Sequence, residues 1–389
     1  MRRVVVTGMG VVAPNGVGRK AFSEALRAGR VAIAPLRRDI FNSSRAPRER
    51  YLAAEIPPHT FSLNGLDRHI TYGLMAAEEA MRESGLSLDA VDPEECGIVF
   101  SSSKGGMETW EKGITPRFID NFLTSSASSV LLKKYPFRGP ALNLVSACAT
   151  GTHTIIRAAQ LIQDNYASVM MAGASDASMT PLLLSGYDQM GVLSHEGVFP
   201  FDRRRSGFVI GEGAAAVILE ERDEARRRGA VIYGEIIGYA MGEDPSHPLR
   251  YNPDDHCLAR CLTLALNRSH ISCDQLDYMN AHGTATVAGD LYETEQIKRS
   301  FGKQAYAIPV SSTKSMTGHL LGASGAVEFV ASLLAIEEKF IPPTVGLQEK
   351  DPACDLDYVP NIARQKKVKT ALSISMGFGG HISVIVVKK

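Results

Sequence analysis

Four short stretches of this 389-residue chain hold side chains that could do chemistry together. The first is Ser146-Ala147-Cys148-Ala149-Thr150-Gly151. It lies between an apolar run at 141–145, read as a strand, and 152–163, read as a helix. A strand–tight turn–helix elbow lifts its central side chain out of the sheet edge, where a substrate can reach it. The helix that follows directs its N-terminus at the sulfur, which favours thiolate over thiol. Taken alone, the elbow is equally consistent with a structural cysteine.

Two histidines and a lysine shift that balance. His282 stands in Asn280-Ala281-His282-Gly283-Thr284, where a strand gives way to a Gly/Thr loop. Asp290 then reads as the cap of a helix, with Glu293 three residues on. Lys314 and His319 precede a helix dense in small residues, Gly322, Ala323, Ser324, Gly325 and Ala326. Such a surface brings backbone against backbone, so this helix is expected to be central and buried. The fourth stretch, Gly377-Phe378-Gly379-Gly380, reads either as a loop that aims backbone N–H groups around one Phe or as a plain hairpin turn. A cysteine, two histidines and a lysine at the strand ends of one α/β sheet form the expected layout of an active site.

The elements around these stretches alternate. Strands are expected at 4–6, 98–100, 141–145, 169–172 and 214–219, and helices at 19–28, 70–84 and 152–163. The pattern resumes at Val231, so the class is α/β with a largely buried sheet. The best internal boundary lies near Gly229-Ala230, giving halves 1–230 and 231–389. Each half holds a strand, a Gly-rich elbow and a small-residue helix, an echo compatible with two similar halves. Residues 37–58 read as an irregular surface excursion.

Two other patterns have bland readings that are preferred. Gly8-Met9-Gly10-Val11-Val12-Ala13 matches a dinucleotide fingerprint, but Pro14-Asn15-Gly16 follows where a helix should open. His256, Cys257, Cys261, His270 and Cys273 suggest zinc, but Cys257 and Cys261 share a helical face with Leu258, Leu262 and Ala265, and a packed helix fits better.

Composition narrows the class further. Lys+Arg 42 against Asp+Glu 42 leaves no net charge, which argues against a nucleic-acid binder. With 44% hydrophobic and 22% charged residues, the chain reads as an ordinary folded protein of two or three core-sized units. Six scattered cysteines fit a reducing, cytoplasmic setting, not a disulfide scaffold. No apolar stretch reaches membrane-spanning length, and the start, Met1-Arg2-Arg3-Val4-Val5-Val6, reads as a buried first strand and not as a signal peptide.

Together, VVVTGMG at the start, SACATG around Cys148, GFVIGEGA at 207–214, NAHGTAT at 280–286, SSTKSMTGHLLGASGAVE at 311–328 and GFGG at 377–380 resemble the β-ketoacyl-[acyl-carrier-protein] synthases. The likeness is greatest to the type II elongating ketosynthases of fatty-acid and polyketide synthesis, and it runs over essentially the whole chain in family order. It implies a thiolase-like fold, two similar halves in five layers αβαβα, dimeric with the active site near the interface. It also implies decarboxylative Claisen condensation, with acyl carrier protein as partner and no metal or redox cofactor. Cys148 would take the acyl group. His282 and His319 would stabilise the enolate of decarboxylated malonyl thioester. Lys314 would support the histidines, with Glu293 the buried acid beyond. The N–H groups of Cys148 and Phe378 would form the oxyanion hole, Phe378 would gate it, and Thr284 and Thr286 would bond the pantetheine arm.

Three departures bear on specificity. His381-Ile382 follows the last glycine, where the family usually has Asn at the second position. Lys104 occupies a place that usually lines the acyl tunnel with an apolar or small residue, and 108–118 looks shortened. Asn64-Gly65 stands where basic residues often help to dock the carrier protein, leaving Arg203, Arg204 and Arg205 as candidates. The alternatives are therefore a fatty-acid enzyme, the catalytic subunit of a heterodimer with a chain-length factor, or a non-catalytic chain-length partner. Intact Cys148, His282 and His319 argue against the last.

Overall fold

The computed structural model describes residues 2–41 and 50–389. Part of the excursion expected over 37–58, together with Met1, therefore lies outside the described residues. The frame is one mixed sheet of 11 strands. In its first half Val4–Ala13 pairs antiparallel with Gly213–Glu221, which pairs antiparallel with Val169–Asp176; Cys96–Ser101 and Ala141–Leu142 then join in parallel. The second half repeats this pattern. Gly234–Glu243 pairs antiparallel with His381–Lys388, and that strand antiparallel with Thr370–Met376; Tyr278–Asn280 and Val310–Ser311 follow in parallel. The halves meet where Val4–Val6 pair with Gly234–Ile236.

Three helical layers enclose the two half-sheets, giving the expected αβαβα stack. On one outer face Arg68–Ser84 covers Val4–Ala13 and Gly213–Glu221; on the other, Cys257–Ser269 covers Gly234–Glu243 and His381–Lys388. Between them, Thr150–Gln163 and Ser324–Glu338 pack on each other and on strands of both halves. The small-residue helix is central, as its composition requires: every residue from Ser324 to Ile336 is buried. A Cβ on Gly151 would lie 2.5 Å from the Ala326 nitrogen, and one on Gly325 would lie 2.3 Å from Thr152 Oγ1. Around this contact Ile155, Ile156, Phe329 and Leu333 are fully buried. Each contributes about 1.5–3 kcal/mol of apolar burial.

The G-x-G pattern receives a packing explanation. Gly8 and Gly10 lie inside the first strand, where a Cβ would meet the Ala80 and Ala76 carbonyl oxygens at 2.1 and 2.0 Å. The glycines let helix Arg68–Ser84 approach the strand backbone. Gly242 does the same on the other face, under the Cys257 and Cys261 sulfurs. Those two cysteines are buried helix residues, and among the described residues no three His, Cys, Asp or Glu side chains converge on a metal position. Among the same residues no helix is long and apolar enough to cross a membrane.

Some boundaries differ from the sequence reading. The run at 141–145 pairs only over Ala141–Leu142, because beyond it the Leu144 N–H donates to Ser101 Oγ at 2.9 Å and the Asn143 amide to the Phe100 carbonyl at 3.2 Å. The strand expected from Val231 begins at Gly234. Asp290 is not a helix cap: the helix Val287–Phe301 opens after Thr286, and Asp290 instead accepts the Ala285 and Phe201 N–H groups at 3.0 and 2.7 Å.

Candidate active site

Cys148 rides on a single turn, Ala147–Ala149, that runs directly into the central helix Thr150–Gln163. The turn requires Ala147 in the left-handed region, at φ 47°. A non-glycine residue persists there only when its surroundings over-determine it. Here Thr150 does so from both sides: its Oγ1 accepts the Ser146 N–H at 3.0 Å and donates to the Ala147 carbonyl at 2.7 Å. Cys148 itself is 5% exposed. Burial pushes its thiol up to about 11; the Lys104 and Lys314 ammonium groups and the Phe378 N–H pull the other way, and Asp176 adds to the rise. The thiolate expected from the helix N-terminus is thus not the resting form, because desolvation outweighs the nearby positive charge.

Opposite the cysteine stand two imidazoles, His282 at the end of Tyr278–Asn280 and His319 after the short helix Lys314–Thr317. Their ring centres are 5.6 Å apart and the planes nearly perpendicular, at 84°. Lys314, fully buried, donates to the His282 carbonyl at 2.7 Å and lies 3.4 Å from His282 Nδ1. An ammonium only donates, so Nδ1 is the unprotonated nitrogen and Nε2 carries the proton. Ser324 Oγ is 2.9 Å from His319 Nδ1, and with the hydroxyl donating, His319 takes the same tautomer. Burial first, and Lys314 next, push both imidazoles well below their ordinary value; His319 adds to the effect on His282, and Lys104 to that on His319. Both rings are therefore neutral at physiological pH, each with one N–H to offer.

Two buried carboxylates support this pair in different ways. Glu293 accepts the backbone N–H groups of His282 and Gly283 at 2.7 and 2.8 Å and so fixes the loop; burial pushes its carboxyl up to about 7, against those two N–H groups. The ion partner of Lys314 is instead Glu328, on the central helix. Glu328 received no role in the sequence reading. Its signal was available: it is the one charged residue between Leu320 and Ile336. Asp176 was also missed. It accepts from the Ser102 and Ser103 hydroxyls at 2.7 and 2.8 Å and anchors the turn that carries Lys104.

The Gly377–Gly380 stretch is a hairpin turn and also a loop that aims its backbone. It joins the antiparallel strands Thr370–Met376 and His381–Lys388. A Cβ on Gly377 would stand 2.8 Å from the Ser146 oxygen and 3.1 Å from the Cys148 nitrogen. This close approach brings the Phe378 N–H to the cysteine sulfur. The Phe378 ring stacks on Tyr187 at 6.3 Å.

Cys148, His282, His319, Phe378, Thr284 and Thr286 all line one cavity of about 560 Å³. The two threonine hydroxyls lie 3.0 Å apart. Lys104 is not on its wall. Half-buried, Lys104 makes no ion pair among the described residues, and its charge bears on Cys148 and His319. Two of the three candidate docking arginines are engaged elsewhere: Arg204 with Asp202 at 2.9 Å, and Arg205 with Asp351 at 2.6 Å. Arg203 is exposed. At Asn64-Gly65 a basic group does appear, supplied by a distant segment, since a side chain on Gly65 would meet Arg117 Nη1 at 2.8 Å.

Comparison with known proteins agrees with this geometry. The model of the beta-ketoacyl synthase N-terminal domain matches residues 1–225, and that of the beta-ketoacyl synthase C-terminal domain matches 233–348. A 3-oxoacyl-[acyl-carrier-protein] synthase 2 of Coxiella burnetii is 39% identical over 100% of this chain and 99% of its own. The tetracenomycin polyketide synthase ketoacyl synthase alpha subunit of Streptomyces glaucescens is 38% identical over 100% and 97%. Among solved structures, a type II polyketide ketosynthase in complex with its acyl-carrier protein superposes with a TM-score of 0.92 at 35% identity, covering 100% of this chain and 99% of that one. The ishigamide ketosynthase/chain length factor superposes with a TM-score of 0.91 at 29% identity, covering 100% and 99%. With its paired half-sheets and its elbow cysteine facing two neutral histidines, this chain belongs to the β-ketoacyl synthase family and has the thiolase-like fold.

Proposed function

We propose that this protein is a β-ketoacyl-ACP synthase that elongates acyl chains by decarboxylative Claisen condensation, with acyl carrier protein as its partner, in the cytoplasm. The observation that carries the assignment is the meeting of Cys148, His282, His319 and Phe378 on one cavity. Cys148 sulfur attacks the acyl thioester carbonyl, and the N–H groups of Cys148 and Phe378 hold the resulting oxyanion. Collapse expels the carrier thiol, which leaves with the cysteine proton. Malonyl thioester then binds and loses its carboxylate as CO₂. The electron pair left behind spreads onto the thioester oxygen, where the Nε2–H groups of His282 and His319 stabilise it. The carbanion attacks the Cys148 thioester, a 3-oxoacyl chain two carbons longer departs on the carrier, and the expelled Cys148 thiolate takes a proton from water to restore the thiol. Lys314, held by Glu328, fixes the His282 tautomer, Glu293 fixes its loop, and Thr284 and Thr286 bond the pantetheine arm. The scheme uses no metal and no redox cofactor. Arg117 and Arg203 are the exposed cations proposed to meet the acidic carrier protein.

Purified protein given an acyl-carrier thioester and malonyl-carrier should release CO₂ and form the 3-oxoacyl product, and Cys148→Ala should abolish product. Product formation undiminished by Cys148→Ala would overturn the assignment.

A second reading, a heterodimer with a chain-length factor, is favoured by Lys104. Lys104 stands off the wall of the described cavity, but its charge reaches Cys148 and His319, and an alkyl chain extended past them would approach an ammonium whose dry burial costs several kcal/mol. A homologous partner that supplies a carboxylate, or a polar acyl chain, would relieve that cost. Efficient elongation of saturated long-chain substrates by the protein alone, unchanged in Lys104→Ile, would overturn this second reading.

A further inference from the structure

The condensation scheme leaves without a role a half-buried histidine beside the nucleophile elbow and one departure from the family pattern, and the structure brings the two together. His153 lies on the first turns of the helix behind Cys148, and its Nδ1 is 2.5 Å from Ser146 Oγ, two residues before the nucleophile. His153 Nδ1 and Ser146 Oγ share one hydrogen bond, and the buried Nε2 makes none. His381 approaches edge-on from the strand that follows the Gly-Phe-Gly-Gly loop, its ring centre 6.3 Å from that of His153 and the planes at 79°. On its outer side His381 Nδ1 meets Glu243 at 3.0 Å. A line of contacts thus runs from Glu243 on the surface through His381 and His153 to Ser146. Burial, and then His381, push His153 down to about 4, so the inner imidazole stays neutral and keeps this pattern.

The line spans a joint that matters. The oxyanion hole draws one N–H from the elbow and the other from the loop. Gly377 brings the two segments into contact at Ser146 and Cys148, but a glycine supplies no side chain to hold them there. Useful donors must be held to within about 0.5 Å of their place. We propose that His153 and His381 are positioning residues for the oxyanion hole, tying the nucleophile elbow to the strand end of the loop so that the Cys148 and Phe378 N–H groups keep a fixed spacing. His381-Ile382, in place of the family's usual pair, is then this chain's own means of fastening that loop.

The inference rests on the condensing reading, and the half-reactions separate the two. Acyl loading of Cys148, followed by mass in single turnover, uses the oxyanion hole; CO₂ release from malonyl-carrier uses His282 and His319. His153→Ala and His381→Ala should each slow loading by about tenfold or more, the scale for a misplaced oxyanion donor, with CO₂ release within about twofold of the unaltered protein. His153→Asn, whose amide can still meet Ser146, should recover most of the loading rate. The half-exposed His381 site keeps the test open should His153→Ala fail to fold. Loading that is unaffected in folded His381→Ala, or loading and CO₂ release that fall together, would overturn the positioning role. Absence of both half-reactions in the unaltered protein would overturn the condensing reading, and the positioning role with it.

Discussion

Burial holds Cys148 as a thiol up to about pH 11, so at neutral pH it reacts through a small thiolate fraction. Below that value the fraction grows tenfold with each pH unit. The rate of alkylation at Cys148, followed by mass spectrometry, should therefore climb steadily between pH 7 and pH 10. A flat rate across that window would mean a preformed thiolate. Lys104→Ile removes a cation that favours thiolate and should slow alkylation at any fixed pH. For the imidazoles the direction is opposite: both stay neutral through the physiological range, so loss of either removes an N–H donor and not a charge. His282→Ala or His319→Ala should slow malonyl decarboxylation by about 100-fold or more, the scale for one oxyanion donor. Acyl loading should suffer less. If loading vanished while decarboxylation persisted, the roles would have to be exchanged. The residues legible in the sequence were those in turns, where Cys148, His282, His319 and Phe378 each sit among glycines and small residues. Glu328 stands out as a lone charge in an apolar helix, but its partner Lys314 lies on a separate short helix, and spacing alone does not pair the two.

At the scale of elements, the central helix Ser324–Glu338 does two things with opposite demands. Its small face admits the helix Thr150–Gln163, and Glu328 faces Lys314 in a fully buried ion pair. Removing one member strands the other. Glu328→Ala should destabilise the fold by about 3–5 kcal/mol, whereas an apolar pair at both positions should recover much of that loss. Denaturant midpoints of the single and double variants give the comparison, and an unchanged midpoint in Glu328→Ala would show that the ammonium finds another partner. Helix packing was readable because Gly322-Ala323-Ser324-Gly325-Ala326 leaves nothing else to pack. Strand ends were less so. Residues 141–145 carry a strand pattern, yet only two of them pair, since Asn143 and Leu144 bond to the Phe100 carbonyl and the Ser101 hydroxyl instead.

On the whole molecule, an aromatic cluster stands partly exposed at the surface. Trp110, Phe118 and Phe122 form a ring cluster, with centres 5.0 to 6.1 Å apart. Trp110 is 52% exposed, and Ile114, four residues on, is 91% exposed. Exposed apolar side chains grouped in this way are a candidate for burial against another subunit. Sedimentation should find a dimer, with itself or with a homologous subunit, and Trp110→Glu should shift it toward monomer; an unaltered monomer would show that the cluster stays open. The paired architecture itself has a consequence in time. The strand Val4–Ala13 is made about 200 residues before its long-range ladder partners, Ala214–Glu221 on one side and Gly234–Ile236 on the other. Synthesis at about 5–20 residues per second leaves this apolar segment without them for roughly 10–40 s. Throughout that interval the first strand of the finished sheet is a ready binding site for chaperones, and a chain stalled before residue 213 should be among the most aggregation-prone forms of this protein.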